Sequence, residues 1–438
     1  MSTARLAQPV RCDRHASRLD PAHEPPTHTR TGTRCLRPLA PLRAAHRAAC
    51  RRPGGLRVLD RLARAGGRAA AARGRIHRVL QHQPGHPAGP LIRATQSPVP
   101  PPRRQVPMNI DLQAREIQPL RNTYAHVAQY IGGDKVASRY QEATFGAQPM
   151  VNFHYRPTWD PTHELFDASR SAIVLADWYV LKDPRQFYYA NWTMTRARQQ
   201  DAMESNFQFV DSRGMVDKIP DAVRHQALAV LMPLRHAAWG ANMNNASVCA
   251  YGWGTAFTAP AMFHAMDNLA VAQYLTRLGL ALDDPSVLDE GKQAWLDDPR
   301  WQGLRRYVED TLVVKDPFEL FVAQNLALDG LLYPLIYGSF VDEHIALQGG
   351  TAVAMLTAFM PEWHDESARW VDAVIKTAAA ASETNRGLLQ QWVAQWSERA
   401  EAALAPVAQL ALGEAGNEAL GEARARVTER CRKAGVGA

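Results

Sequence analysis

Residues 263–275 read FHAMDNLAVAQYL. The run has the spacing of a metal-binding helix from which the ligands are gone. Carboxylate-bridged di-iron bundles take a Glu-x-x-His pair from each of two helices, often within Asp-Glu-x-Arg-His, because residues one turn apart both face the bundle interior. Here Asp267 holds the place of the Asp, Asn268 that of the Glu, and Val271, three residues on, that of the His. Carboxylates neutralise iron and imidazole supplies a nitrogen donor. Asn is neutral and a poor ligand, and Val has no lone pair. Taken alone, the run reads as an amphipathic core helix with one hydrogen-bonded Asn.

No intact Glu-x-x-His pair follows Met108. In PEWHDES, Glu362 is followed three residues later by Asp365, and His364, two residues from Glu362, falls on a different helical face. This segment reads as the solvated start of the helix that contains Trp370, with Pro361 at an early helical position and acids near the N-terminus. Glu343 and His344 are adjacent, which is the wrong geometry for one site. The chain has no P-loop, no Gly-x-Gly-x-x-Gly and no Gly-x-Ser-x-Gly elbow. Gly252 and Gly254 in YGWGTAF sit in a helical context and imply close helix packing.

The pattern after Met108 is helical. Val223, Ala227, Leu231, Leu234 and Ala238 recur at spacings of three and four, as do Val371, Val374, Ile375 and Ala378, and then Leu388, Leu389, Trp392, Val393 and Trp396. Breaks fall at RPTWDPTHE, LKDPRQ, DDPSVLDEGKQ, LDDPRW and MPEW. A short hairpin is expected over residues 148–155. The most apolar run, residues 320–341, carries Gln324, Asn325, Asp329, Gly330 and Pro334, so a buried bundle helix explains it better than a membrane span. Together these elements imply an all-α, ferritin-like many-helix bundle over residues 108–438.

Charge divides the chain. Residues 1–107 hold 21 Arg, no Lys, four acidic groups and no Phe, Trp or Tyr, a net of +17, while residues 108–438 carry a net of −10. The pI of about 9.2 therefore describes the first quarter alone. A segment without large apolar groups cannot offset its chain entropy, so residues 1–107 are expected to be a disordered Arg/Pro/Ala-rich extension. It could be a nucleic-acid arm, a targeting peptide, or GC-rich non-coding DNA translated from a misplaced start. The last is preferred, because a transit peptide also shows Ser enrichment and an amphipathic pattern. Beyond Met108, Cys249 and Cys431 are isolated, which suggests a reducing compartment and no disulfide framework. The acidic folded part argues against nucleic-acid binding through its aromatic–basic runs. Arg156, Trp159, Arg185, Tyr188, Tyr189 and Trp192 are instead candidates for a partner surface.

The runs IGGDKVASRYQEATF, VNFHYRPTWDP, ADWYVLKDPRQFYYANWTMTRARQQ and AMDNLAVAQYL together resemble the small (beta) hydroxylase subunit of bacterial multicomponent phenol hydroxylases. Toluene and methane monooxygenases have related subunits. The resemblance covers essentially everything from Met108 onward and has no counterpart for residues 1–107. It implies that the di-iron centre lies in a paralogous catalytic alpha subunit, and that Asn268 and Val271 mark one former ligand pair. The other former pair is placed near Glu362 and Asp365. No catalytic or metal-ligating residue and no cofactor is carried over to this chain.

The resemblance further implies a cytoplasmic complex that converts phenol to catechol with dioxygen and NADH. Its parts are alpha, beta and gamma subunits, a second beta subunit across the dimer, a small regulatory protein, and a reductase carrying flavin and an iron–sulfur cluster. Two other readings remain at this point: an independent ferritin-like metal enzyme, and a nucleic-acid-binding protein acting through its basic tail.

Overall fold

The structure, a computed structural model, describes residues 123–150 and 156–437. The extension expected over residues 1–107 and the start expected at Met108 lie outside the described residues. So do residues 151–155 of the expected hairpin, and Gln148–Met150 carry no strand. Among the described residues there is no β-strand, and helices carry the whole fold.

Two short helices, α1 (Ala125–Ile131) and α2 (Arg139–Thr144), precede α3 (Tyr189–Ser212). Then come α4 (Asp221–Leu231), α5 (Leu234–Tyr251), α6 (Thr255–Leu282), α7 (Ser286–Asp297) and α8 (Pro299–Thr311). The long α9 (Pro317–Gln348) follows, and α10 (Thr351–Thr357), α11 (Phe359–Ala381), α12 (Glu383–Leu412) and α13 (Gly416–Ala434) complete the chain. Helix starts obey local chemistry. Asp298 and Asp316 cap α8 and α9 by accepting backbone N–H bonds, each with Pro at the first helical position, where a missing N–H costs nothing.

The fold is a ferritin-like bundle. α5 and α6 are joined only by Gly252–Gly254 and run back against each other along their length. α9 packs against α5, α12 and α13, and α11 against α6, α12 and α13. Gly252 and Gly254 are therefore not helical, as expected from sequence, but form the corner between two core helices. Gly254 has φ +82°, and a Cβ there would stand 2.7 Å from Cβ of Trp178, so the corner needs glycine on both counts. The first two helical stripes land inward: Val223, Ala227, Leu231, Leu234, Ala238, Val371, Val374, Ile375 and Ala378 are buried, and in the third Leu389, Trp392 and Trp396 are buried with Leu388 and Val393 half-buried.

α9 is long and apolar enough to cross a membrane, yet 94% of its apolar window is buried inside the protein. Two stretches, Val322–Leu328 and Pro334–Ile345, are wound as π-helix rather than α-helix. The second begins at Pro334, whose missing N–H and ring favour a departure from α-helical bonding.

Candidate functional site at the bundle centre

Polar residues of α3, α5, α6, α9 and α11 form two buried networks in the bundle interior. Asp267 is the hub. It is 4% exposed, and its oxygens accept four bonds. Arg196 Nε and Nη2 donate from α3 at 2.8 and 2.7 Å, and the indole N–H groups of Trp192 and Trp363 donate at 3.0 and 2.9 Å. Arg196 also grips Glu366 on α11 at 2.8 and 3.3 Å. Burial alone would lower the affinity of this guanidinium for its proton, but Asp267 and Glu366 more than reverse that and raise its pKa. One ion cluster thus ties α3, α6 and α11.

A second polar chain runs through α5 and α9. The Asn244 amide donates to Thr311 Oγ1 and to Gln324 Oε1, each at 2.8 Å. Gln324 donates onward to Asp329 Oδ1 at 2.8 Å. Asn245 and Asn325 exchange bonds of 3.0 and 2.8 Å. Gln324 and Asp329 are five residues apart, and they can face each other because this part of α9 bonds i to i+5. His264 is 1% exposed and lies against Trp363 and Trp370 at ring distances of 4.7 and 5.5 Å. His364 stacks flat on Tyr333 at 5.1 Å, and burial, aided by Arg430 and His264, pushes its pKa down to about 3.

Asn268 and Val271 point inward, each 1% exposed. Asn268 Nδ2 donates to the His264 carbonyl at 3.0 Å. Glu362 and Asp365, expected near the other former pair, are exposed on the outer side of α11. Trp363, His364 and Ser367 take the inward positions there. α11 begins at Phe359, so Pro361 and the exposed Glu362 fall in its first turn, as expected, and Glu362 and Asp365 lie off the inward face.

A di-iron centre does not fit this arrangement. It calls for four carboxylates and two imidazoles. Of the carboxylates here, Asp267 is saturated by Arg196 and two indoles, which leaves Asp329, with Oδ1 taken by Gln324, far short of the four. Among the described residues, no three His, Cys, Asp or Glu side chains are grouped to hold a metal ion.

The expected partner-surface residues divide. Trp159 and Tyr189 are each 73% exposed, and Arg156 is exposed with its guanidinium on the Pro161 carbonyl. Arg185 is not available: its side chain is 3% exposed, paired with Asp183 at 2.9 and 3.0 Å and laid over Phe187 and Trp370. Trp192 is half-buried, stacked on Phe263 and bonded to Asp267, and Tyr188 is half-buried. Sequence reasoning missed Arg196, whose partners Asp267 and Glu366 are both distant from it in the chain. It noted Asp329 and Gln324 only as interruptions of an apolar run, which is the signal that could have found them.

A profile of the family described as Methane/Phenol/Alkene Hydroxylase matches residues 159–382. The chain is 47% identical to the phenol 2-monooxygenase oxygenase component DmpL of Pseudomonas sp. (strain CF600) over 331 residues, which is 75% of this chain and 98% of the relative. The chain belongs to this hydroxylase family. Among solved structures it resembles the phenol hydroxylase of Pseudomonas sp. OX1, with TM-score 0.69 and 42% identity over 74% of this chain and 98% of that one. A more distant relative is the hydroxylase component subunit beta of the toluene-4-monooxygenase system of Ectopseudomonas mendocina, 22% identical over 52% of this chain and 70% of the relative. Membership makes the chain a component of a monooxygenase built from several proteins.

Proposed function

We propose that this chain is the non-catalytic beta subunit of a cytoplasmic multicomponent phenol monooxygenase. The observation that carries the reading is the bundle centre. Asn268 and Val271 stand in place of a Glu-x-x-His pair, and the neighbouring Asp267 is committed to Arg196, Trp192 and Trp363. The toluene-4-monooxygenase relative, which bears the name subunit beta, supports the same assignment. The di-iron centre then belongs to a catalytic alpha subunit, and flavin and an iron–sulfur cluster to a reductase that passes electrons from NADH. The substrate class is phenols, hydroxylated to catechols with dioxygen. The other partners are a gamma subunit, a regulatory protein and a second beta subunit.

A bundle without ligands can spend its outer faces on partners. Trp159 and Tyr189 are exposed, and Trp239 and Met243 on α5 and Met262 and Met266 on α6 are exposed as well. Exposed large apolar side chains suit a permanent subunit interface. The test is reconstitution of the alpha and gamma subunits with and without this chain, in the presence of regulatory protein and reductase. Catechol formation should require the chain, while the purified chain alone should bind no stoichiometric iron and oxidise no phenol. Tight iron binding by the chain alone would overturn the reading in favour of an independent metal enzyme. Full activity without the chain would remove its structural role.

A further inference from the structure

A cavity of about 20 Å³ lies between α5, α6 and α9, lined by Asn268, Gln324, Asp329, Tyr333 and Tyr337 among apolar neighbours. The hydrogen bonding around it is unbalanced. Asn268 uses Nδ2 on the His264 carbonyl, which fixes the amide orientation, and Oδ1 is left without a donor. Asp329 receives Gln324 at Oδ1, and Oδ2 is left without a donor. The imidazole of His264 approaches Asp329 Oδ2 no closer than 3.6 Å, beyond a direct hydrogen bond. Both residues are at least nine-tenths buried, so bulk water does not serve these oxygens. Buried acceptors are rarely left unpaired, because the desolvation of each is then uncompensated.

We propose that Asn268 Oδ1 and Asp329 Oδ2 form a binding site for one water molecule, which donates one hydrogen to each. The guest must offer two donors, which water does. The cavity exceeds the roughly 10–15 Å³ that one water needs and is too small for two. A hard divalent cation is disfavoured, because it wants about six oxygen ligands and more than the one carboxylate found here. The water would join α6 to α9 at the position of a former ligand, doing with hydrogen bonds what a metal bridge does in a ligand-bearing bundle. This inference rests on the geometry of the cavity and not on the proposed function.

The test is a high-resolution crystal structure of the assembled hydroxylase, with diffraction data also collected at the iron and zinc absorption edges. One peak refining as oxygen is expected, about 2.6–3.2 Å from both Asn268 Oδ1 and Asp329 Oδ2. Three results would overturn the proposal: no peak, a peak touching only one of the two oxygens, or an anomalous peak at metal-ligand distances of about 2.0–2.2 Å. Asn268→Leu in the same assembly should lose the peak, and its persistence at full occupancy would also overturn the proposal. If that variant does not assemble, the wild-type map still decides.

Discussion

Replacing Arg196 by Met keeps most of the stem and removes the guanidinium from the cluster that ties α3, α6 and α11. Five charge-assisted bonds disappear, two to Asp267 at 2.8 and 2.7 Å, two to Glu366 at 2.8 and 3.3 Å and one to Gln199 Oε1 at 2.8 Å. Asp267, 4% exposed, keeps only the indole donors of Trp192 and Trp363. Breaking a buried pair from one side costs about 3–5 kcal/mol, because the abandoned charge stays buried. The two remaining donors and the 15% exposure of the Arg196 side chain place this case at the lower end, about 3 kcal/mol. Roughly 300 folded residues at about 2.1 cal/mol/K each give an unfolding entropy near 0.65 kcal/mol/K, so Tm should fall by about 5 °C. Calorimetry at matched scan rates reads the shift. Asp267→Leu combined with Arg196→Met should cost clearly less than the two single effects added together, since each change removes the charge that the other strands. A Tm unchanged in Arg196→Met, or strict additivity in the pair, refutes the cluster as an energetic unit.

His364 should make stability pH-dependent. Its imidazole titrates near 3 in the fold, against about 6.5 in the unfolded chain, so between those values the unfolded state holds the proton and the native state does not. The contribution is intact above about pH 6.5 and is lost as pH falls, by about 2 kcal/mol between pH 7 and 5. His364→Phe should flatten that part of the stability–pH curve, and an unchanged slope counts against the assignment. Gly254→Ala should cost more than about 1 kcal/mol, since φ there is +82° and the new Cβ meets Trp178, and urea titration checks it. Intact-mass measurement of the native protein should find a chain starting near Met108. Deleting residues 1–107 should leave Tm and subunit assembly unchanged, and a stable native product carrying Met1 would count against this.

The helical architecture was legible because periodicity needs only one helix at a time: the stripes through Val223–Ala238 and Val371–Ala378 are buried as their spacing requires. The Pro residues after Asp298 and Asp316 likewise mark helix starts from local chemistry alone. The burial of Asn268 and Val271 on a core helix was legible in one short run. Which residues of α11 face inward was not read, although the stripe carried back from Trp370 runs through Ser367 and Trp363 and leaves Glu362 and Asp365 outside. Arg185 resembled a surface group because Arg beside aromatics is common at interfaces, and nothing local told that Trp370 would roof it. Arg196 and Asp267 stand 71 residues apart, and such pairings are set by tertiary packing.

The π-wound stretches of α9 make that helix a place where a residue can be lost. In an α-helix, residues five apart sit about 140° apart around the axis and cannot touch. Gln324 meets Asp329 only because the winding there is wider. A π-turn holds one residue more than the α-turn it replaces, so deleting a single residue between them would let that turn close to ordinary pitch with the side chains beyond it still in phase. Tyr333, Tyr337 and Phe340 would stay in the core, and the bond between Gln324 and Asp329 would be lost. The same deletion in the α-wound α6 would instead turn every side chain beyond it by about 100°.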